Sequence, residues 1–221
     1  LSLALVSEGL RPQREINEEL DVKKNILKAV ELQEPLSPSM TGPEILTLYE
    51  QKIESRVIDK DGNVLAGKTP EQIKDGEKLY PLYVYQEDDK VMAYALPVYG
   101  KGLWSTIYGY LALEADGITV RGITFYKHGE TPGLGGEVEK SWFQDNFKGK
   151  KIWDVKTQSL HPVAVAKGKA SDKIAKPEQK FFVDGISGAT MTGKGVTEFL
   201  DEWIRVYDPY FQKIRNLKSE E

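Results

Sequence analysis

Asp184-Gly185-Ile186-Ser187-Gly188-Ala189-Thr190-Met191-Thr192-Gly193-Lys194-Gly195 runs without a break into Val196, Phe199, Leu200, Trp203, Ile204, Tyr207 and Phe211. The apolar residues recur three and four apart, so a long amphipathic helix follows the glycine- and hydroxyl-rich stretch directly. Pro209 lies inside this pattern and should bend the helix, because its ring has no N–H to donate. The stretch ahead of the helix carries hydroxyls at Ser187, Thr190 and Thr192. An N-capping loop accounts for one of them well and for three poorly. Hydroxyls beside the free amides of a helix start make a good anion site, since the helix dipole and the unpaired N–H groups both favour negative charge. Gly193-Lys194 is similar to part of a phosphate-binding P-loop, but the upstream Gly and the Ser or Thr after Lys are missing. ATP or GTP hydrolysis is therefore a poor reading.

Upstream of this stretch the hydrophobic period falls to two. Trp104–Leu113 and Thr119–Tyr126 read as strands around Asp116-Gly117, and Tyr80–Gln86 and Val91–Val98 as strands around Glu87–Lys90. Arg56–Asp59 and Val64–Ala66 flank Asp61-Gly62 and read as a hairpin. The strands total roughly six, antiparallel where hairpins link them, with no order legible. Ser141–Phe147 reads as a short helix carrying Trp142, Phe143 and Phe147. Residues 166–180 contain Lys167, Lys169, Lys173, Lys176 and Lys180, an exposed excursion in preference to a phosphate-binding patch. Near the front, Ile16, Leu20, Ile26, Leu27 and Val30 mark a helix from Gln13 to about Leu32, with Glu18, Glu19, Asp21, Lys23 and Lys24 on its solvated face. Pro35, Pro38 and Gly42 break it. Thr41, Pro43 and Glu44 then open a second helix with a buried stripe of Ile45, Leu46, Tyr49 and Ile53. The fold class is α+β: a mixed, largely antiparallel sheet with flanking helices. One domain over 36–221 is preceded by an N-terminal helical segment, 1–35.

Composition narrows the chemistry. The chain has 221 residues and a net charge of −4, without the basic footprint of a nucleic-acid binder. It has no Cys, which excludes disulfides, iron–sulfur clusters held by this chain and thiol catalysis. Two His are too few for a His-rich metal site. Redox or group-transfer chemistry must rest on carboxylates, hydroxyls or a bound cofactor. Leu1, Leu3, Ala4, Leu5 and Val6 form an apolar run that stops by Glu8, far short of the ~20 residues of a membrane span. It is either a disordered stub or the end of a membrane helix whose beginning is missing.

A second small-residue cluster, His128-Gly129-Glu130-Thr131-Pro132-Gly133-Leu134-Gly135-Gly136, follows a strand. Four glycines around a proline specify a tightly turning loop. It is either an elaborate turn or a loop that lets backbone approach a flat or phosphorylated ligand. The G-x-G-x-x-G spacing of dinucleotide sites is absent. His128 reads as an ordinary surface imidazole, because no third ligand accompanies it and Glu130.

Ser187-Gly188-Ala189-Thr190, preceded by Asp184, resembles the flavinylation motif of the FMN-binding domain family, and Gly129–Gly136 resembles that family's second signature. The resemblance implies that a flavin transferase joins FMN to the hydroxyl of Thr190 through a phosphoester, with Thr192 as the competing acceptor. Gly188 and Ala189 would keep the threonine accessible, Asp184 would belong to the transferase's recognition sequence, and Ser187 is a further cofactor-binding candidate. Glu130, Thr131, Leu134 and Gly135 are expected to line the flavin. Trp104, Ser105, Ile107 and Tyr108 are weaker candidates, since an aromatic in a strand is usually core. Gly100–Gly109, Gly9–Gln13 and Lys24–Leu27 resemble, more narrowly, the C-subunit branch found in sodium-translocating NADH:quinone reductases rather than its counterpart in Rnf complexes.

The function implied is an electron relay with covalent FMN in a membrane redox pump. The chain shows no nucleotide-binding fold, so NADH would be oxidised by a partner subunit. The resemblance further implies a single N-terminal membrane helix and a domain on the outer, periplasmic face of the cytoplasmic membrane. Arg11 and Arg14 lean the other way, because basic residues beside a span favour the cytoplasm. The alternatives are the Rnf counterpart and a non-catalytic module that binds a phosphorylated ligand or regulates.

Overall fold

The computed structural model describes residues 11–30 and 39–219. The Leu1–Val6 run, Gly9, Leu10, Leu32, Pro35, Ser37, Pro38, the boundary at 35/36 and the side chain of Ile16 lie outside the described residues. In chain order the helices are α1 (Arg11–Ala29), α2 (Gly42–Lys52), α3 (Ser141–Gln144), α4 (Ala170–Lys173) and α5 (Thr190–Ser219). The main sheet consists of β1 (Ile53–Asp59), β2 (Leu79–Glu87), β3 (Lys90–Lys101), β4 (Thr106–Glu114) and β5 (Val120–Lys127). Its order is β1-β2-β3-β4-β5 and every pairing is antiparallel. Two small pairs complete the structure: antiparallel β6 (Trp153–Asp154) with β7 (Ser159–Leu160), and parallel β8 (Ala164–Val165) with β9 (Phe182–Val183).

Alternate residues of each strand point to opposite faces, and here both faces are covered. Leu82, Val84, Leu96, Val98, Ile107, Leu111 and Leu113 share a core with Val196, Phe199, Leu200, Ile204 and Tyr207 of α5. Tyr83, Tyr85, Ala93, Ala95, Tyr110 and Ala112 face the other way and pack with Ile26, Leu27, Ala29 and Val30, and with Ile45 and Tyr49 of α2. The small side chains of β3 and β4 on that side leave room for the two helices. The buried tyrosines keep polar partners where they need them: Tyr207 donates its hydroxyl to the carbonyl of Pro81 at 2.7 Å. At the other end of α5, Gly195 crosses the end of β3 so closely that a Cβ would lie 2.2 Å from the carbonyl oxygen of Lys101. Only glycine permits that crossing, and it brings the start of α5 against the loop after β3.

The structure amends several readings. α1 begins at Arg11 and ends at Ala29; Val30 then gives its carbonyl to the guanidinium of Arg121. Ile53 is the first residue of β1 rather than the last of the α2 stripe, and Leu46 is only half-buried. The Asp61-Gly62 turn exists, with Asp59 Oδ1 accepting the N–H groups of Asp61 and Asn63 at 2.9 Å. Its return arm, though, is one isolated bridge, Ile58 to Val64. β2 pairs with the opposite edge of β1, and the Thr69–Gln72 turn takes the chain away from this edge, so the hairpin never extends. β4 starts at Thr106, leaving Trp104 in a bend. Ser141–Phe147 is α3 followed by a 3₁₀ turn over Asp145–Phe147; Phe143 and Phe147 are buried and Trp142 is exposed. α5 runs through Pro209 to Ser219, so the proline does not end it. Among the described residues no helix is long and apolar enough to cross a membrane.

Candidate functional site

Thr190 is the first residue of α5. The turn before it is made by Gly188 at φ +74, and Ala189 N–H donates to Ile186 at 3.1 Å. The first helical bond is Gly193 N–H to Ala189 at 3.0 Å. The amides of Thr190, Met191 and Thr192 therefore precede the helical ladder and are available to an anion. Residues two apart on a helix are rotated by roughly 200°, so the two threonines face opposite ways. Thr190 is exposed, whereas Thr192 is 1% exposed and donates its hydroxyl to Glu130 Oε2 at 2.7 Å. Ser187 is exposed beside the turn and Ala189 is buried under it.

Glu130 ties three segments together. Its Oε1 accepts the N–H groups of Trp104 at 2.9 Å and Ser105 at 3.0 Å; its Oε2 accepts that of Leu103 at 3.1 Å as well as the Thr192 hydroxyl. Burial opposes ionisation of this carboxyl, but the bonds from Thr192, Trp104, Ser105 and Leu103 outweigh it and hold the group below the ordinary glutamate range. Gly135 lies against the pair: a Cβ there would fall 2.6 Å from Thr192 Oγ1 and 2.7 Å from Glu130 Oε2. Ser105 Oγ accepts the N–H of Gly129 at 2.6 Å. The Thr131 carbonyl closes the glycine loop by accepting from Leu134 at 3.1 Å and Gly136 at 2.9 Å, while Thr131 itself is exposed. His128 is not on the surface as expected. Its side chain is 11% exposed, with Nδ1 accepting the N–H of Glu130 at 3.2 Å and Nε2 lying 3.3 Å from Glu139 Oε2. It braces the loop.

Around this buried pair stand exposed apolar groups. Trp104 is 69% exposed although its backbone is fixed by Glu130. Leu103, Leu134 and Met191 are also exposed, and Leu134 Cδ2 would be 2.8 Å from a Cβ at Gly188. The loops at 102–105, 129–136 and 184–192 thus meet at one corner through Glu130, Thr192 and Leu134. Leu103 and Met191 escape a reading of the sequence; their signal is apolarity without periodicity. Ile107 is buried beneath. Tyr108 points to the opposite face, stacked on Tyr99 with centroids 5.8 Å apart and with Lys127 Nζ 5.5 Å over its ring. Asp184 reaches away as well, its Oδ1 accepting the N–H of Ala170 at 2.8 Å. A groove of about 490 Å³ runs along the other side of Thr190, between Ala164–Gly168 and the first turns of α5.

The sequence profile of the FMN-binding domain family matches residues 102–205, which takes in all three loops. The C-subunit of the Na(+)-translocating NADH-quinone reductase of Pseudomonas aeruginosa is 36% identical, covering 89% of this chain and 82% of that protein. Its counterpart in Vibrio alginolyticus is 33% identical over 94% of this chain and 86% of its own. The crystal structure of the counterpart from Parabacteroides distasonis superposes with a TM-score of 0.77 at 32% identity, covering 91% of this chain and 96% of that one. With likeness at this level over nearly all of its length, this chain carries an FMN-binding domain and belongs to the C-subunit family of the Na(+)-translocating NADH-quinone reductase.

Proposed function

We propose that this chain is the electron-relay subunit of a sodium-translocating NADH-quinone reductase and carries FMN as a phosphoester on Thr190. The observation that carries the reading is the contrast between the two threonines: Thr190 is open at the start of α5, and Thr192 is buried with its hydroxyl committed to Glu130. When bound, FMN supplies the one- and two-electron chemistry. The chain supplies the tether and the cradle. Thr190 Oγ forms the bond to phosphorus and gives up its proton, while the diphosphate bond of an activated flavin dinucleotide donor breaks and its nucleotide leaves. The amides of residues 190–192 hold the phosphate oxygens, and Trp104 and Leu134 flank the ring. Glu130, Ser105 and Gly135 keep those groups in register, with Thr131 closing the loop. A covalent tether suits a relay that must be occupied at every turnover.

A flavin transferase installs the group, and NADH is oxidised on another subunit. Intact mass and peptide mapping after co-expression with a flavin transferase test the reading: one FMN-phosphoryl group on the peptide containing Thr190 is expected, and an unmodified chain in a competent host refutes it. Thr192→Val should keep the label on Thr190 while lowering stability by about 1–3 kcal/mol, because Glu130 loses a donor in a buried place. Urea unfolding of the labelled protein measures that loss.

The domain is held to the cytoplasmic membrane by a single helix N-terminal to the described residues, and it faces outward. A reporter active only outside the cytoplasm, fused after Glu221 of the full-length protein, should be active. Activity of a cytoplasmic reporter in its place puts the domain inside.

A further inference from the structure

The motif that ends in Thr190 opens with two residues whose hydrogen bonds run elsewhere. Asp184 Oδ1 accepts the N–H of Ala170 at 2.8 Å, and the N–H of Gly185 donates to the carbonyl of Gly168 at 2.8 Å. Gly185 sits so close to this segment that a Cβ would come 2.1 Å from the carbonyl oxygen of Ala166. Ala166 N–H in turn donates to Val183 at 2.9 Å. The lysine-rich stretch is thereby stitched to the motif, and Ala166, Lys167 and Gly168 form one wall of the 490 Å³ groove. Thr190, Lys194 and Thr197 line its other side, held in place where Thr197 Oγ1 accepts the N–H of Val165 at 2.9 Å. Lys167, Lys169 and Lys173 are exposed, a local positive surface on a chain whose net charge is −4; on the facing side Lys194 is paired with Glu198 at 3.5 Å, and both line the groove.

An enzyme that esterifies Thr190 has to rest on the surface beside that hydroxyl. One flank is the Trp104–Leu134 corner, which receives the ring; the other is this groove. We propose that the groove and its basic wall are the docking surface for an acidic face of the esterifying enzyme, and that Asp184 is a positioning residue that holds the wall in place. The proposal rests on the reading of Thr190 as the ester site. Surface charge of this kind raises encounter rates and is screened by salt. It also gives an aspartate six residues before the threonine a part in attachment without contact to the hydroxyl: its carboxylate oxygen is needed as an acceptor.

The test is the initial rate of FMN attachment to the 221-residue chain by a purified flavin transferase with a flavin dinucleotide donor, followed by intact mass. Asn keeps an acceptor oxygen and Ala does not, so Asp184→Asn should stay within about twofold of the unmodified sequence and Asp184→Ala should fall about tenfold or more. Lys167→Glu combined with Lys169→Glu should fall about tenfold and lose most of the salt dependence, with the melting temperature and the spectrum of attached FMN unchanged. Asp184→Asn as slow as Asp184→Ala shows that the charge itself is read, and overturns the positioning role. Lysine reversal without effect on rate or salt dependence overturns the docking surface, even if Asp184→Ala fails to fold. No label on the unsubstituted chain refutes the ester reading instead.

Discussion

Thr190→Ala is expected to leave the chain folded and without covalent FMN. Thr190 is exposed at the first position of α5, and alanine is the best helix former, so stability should move by no more than about 0.5 kcal/mol. The label should fall to background, about a hundredfold or more below the unsubstituted chain, because no other oxygen at that position can form the ester. Thr190→Ser keeps a hydroxyl and should retain part of the label. Thr192 is 1% exposed and bonded to Glu130, so it should not take over. A Thr190→Ala chain that still carries FMN, whether on Thr192 or Ser187, reverses the assignment. Intact mass, urea unfolding and peptide mapping of one preparation distinguish loss of the acceptor from loss of the fold.

What the sequence makes legible is what is local. The repeat Val196, Phe199, Leu200, Ile204 and Tyr207 declares α5 because a helix writes its buried face at short spacing, and residues 80–98 declare a hairpin because their turn is contiguous. The sheet order follows the simplest possible meander, but nothing within a single strand specifies its neighbour. The arm at Val64–Ala66 resembles a strand by composition but pairs with the free edge of β1 at one bridge alone, Ile58 to Val64, before the chain turns away. The β8–β9 pair is invisible in the sequence: two residues in each strand carry no period, and Val165 and Phe182 are far apart along the chain.

The site divides the same way. Two clusters of small residues and hydroxyls mark its loops, yet their meaning lies in contacts of long range. Glu130 finds its partners 25 to 62 residues away, and Gly135 is required by side chains rather than by its own φ. His128, beside a glycine loop, reads as a surface residue until the packing of Glu139 and the turn at Glu130 enclose it. Tyr108 and Trp104 are indistinguishable as aromatics near a strand. Strand parity sends Tyr108 to the far face, while the bend after β3 leaves Trp104 at the corner.

Glu130→Gln is the second large effect expected. The carboxylate offers two oxygens to four donors, Leu103, Trp104, Ser105 and Thr192. A glutamine offers one oxygen, and its NH₂ group must then face either Trp104 and Ser105 or Leu103 and Thr192. At least one buried N–H is left facing another donor, and an unsatisfied buried donor costs about 1–3 kcal/mol. With the loss of charge assistance the total should reach about 2–4 kcal/mol, or a melting temperature lower by about 5–15 °C. The sign of the pH dependence follows from the lowered folded-state pKa of Glu130. Its contribution is complete above the ordinary glutamate value of 4.5 and is lost as pH falls through the lower folded value. Glutamine does not titrate, so the stability gap should be widest near neutrality and narrow below the ordinary value. Because the three loops meet through this one carboxylate, FMN attachment per folded molecule should fall along with stability. Parallel pH profiles, or a gap under 0.5 kcal/mol by the usual scale of surface substitutions, would show that packing around Gly135 holds the corner without the carboxylate.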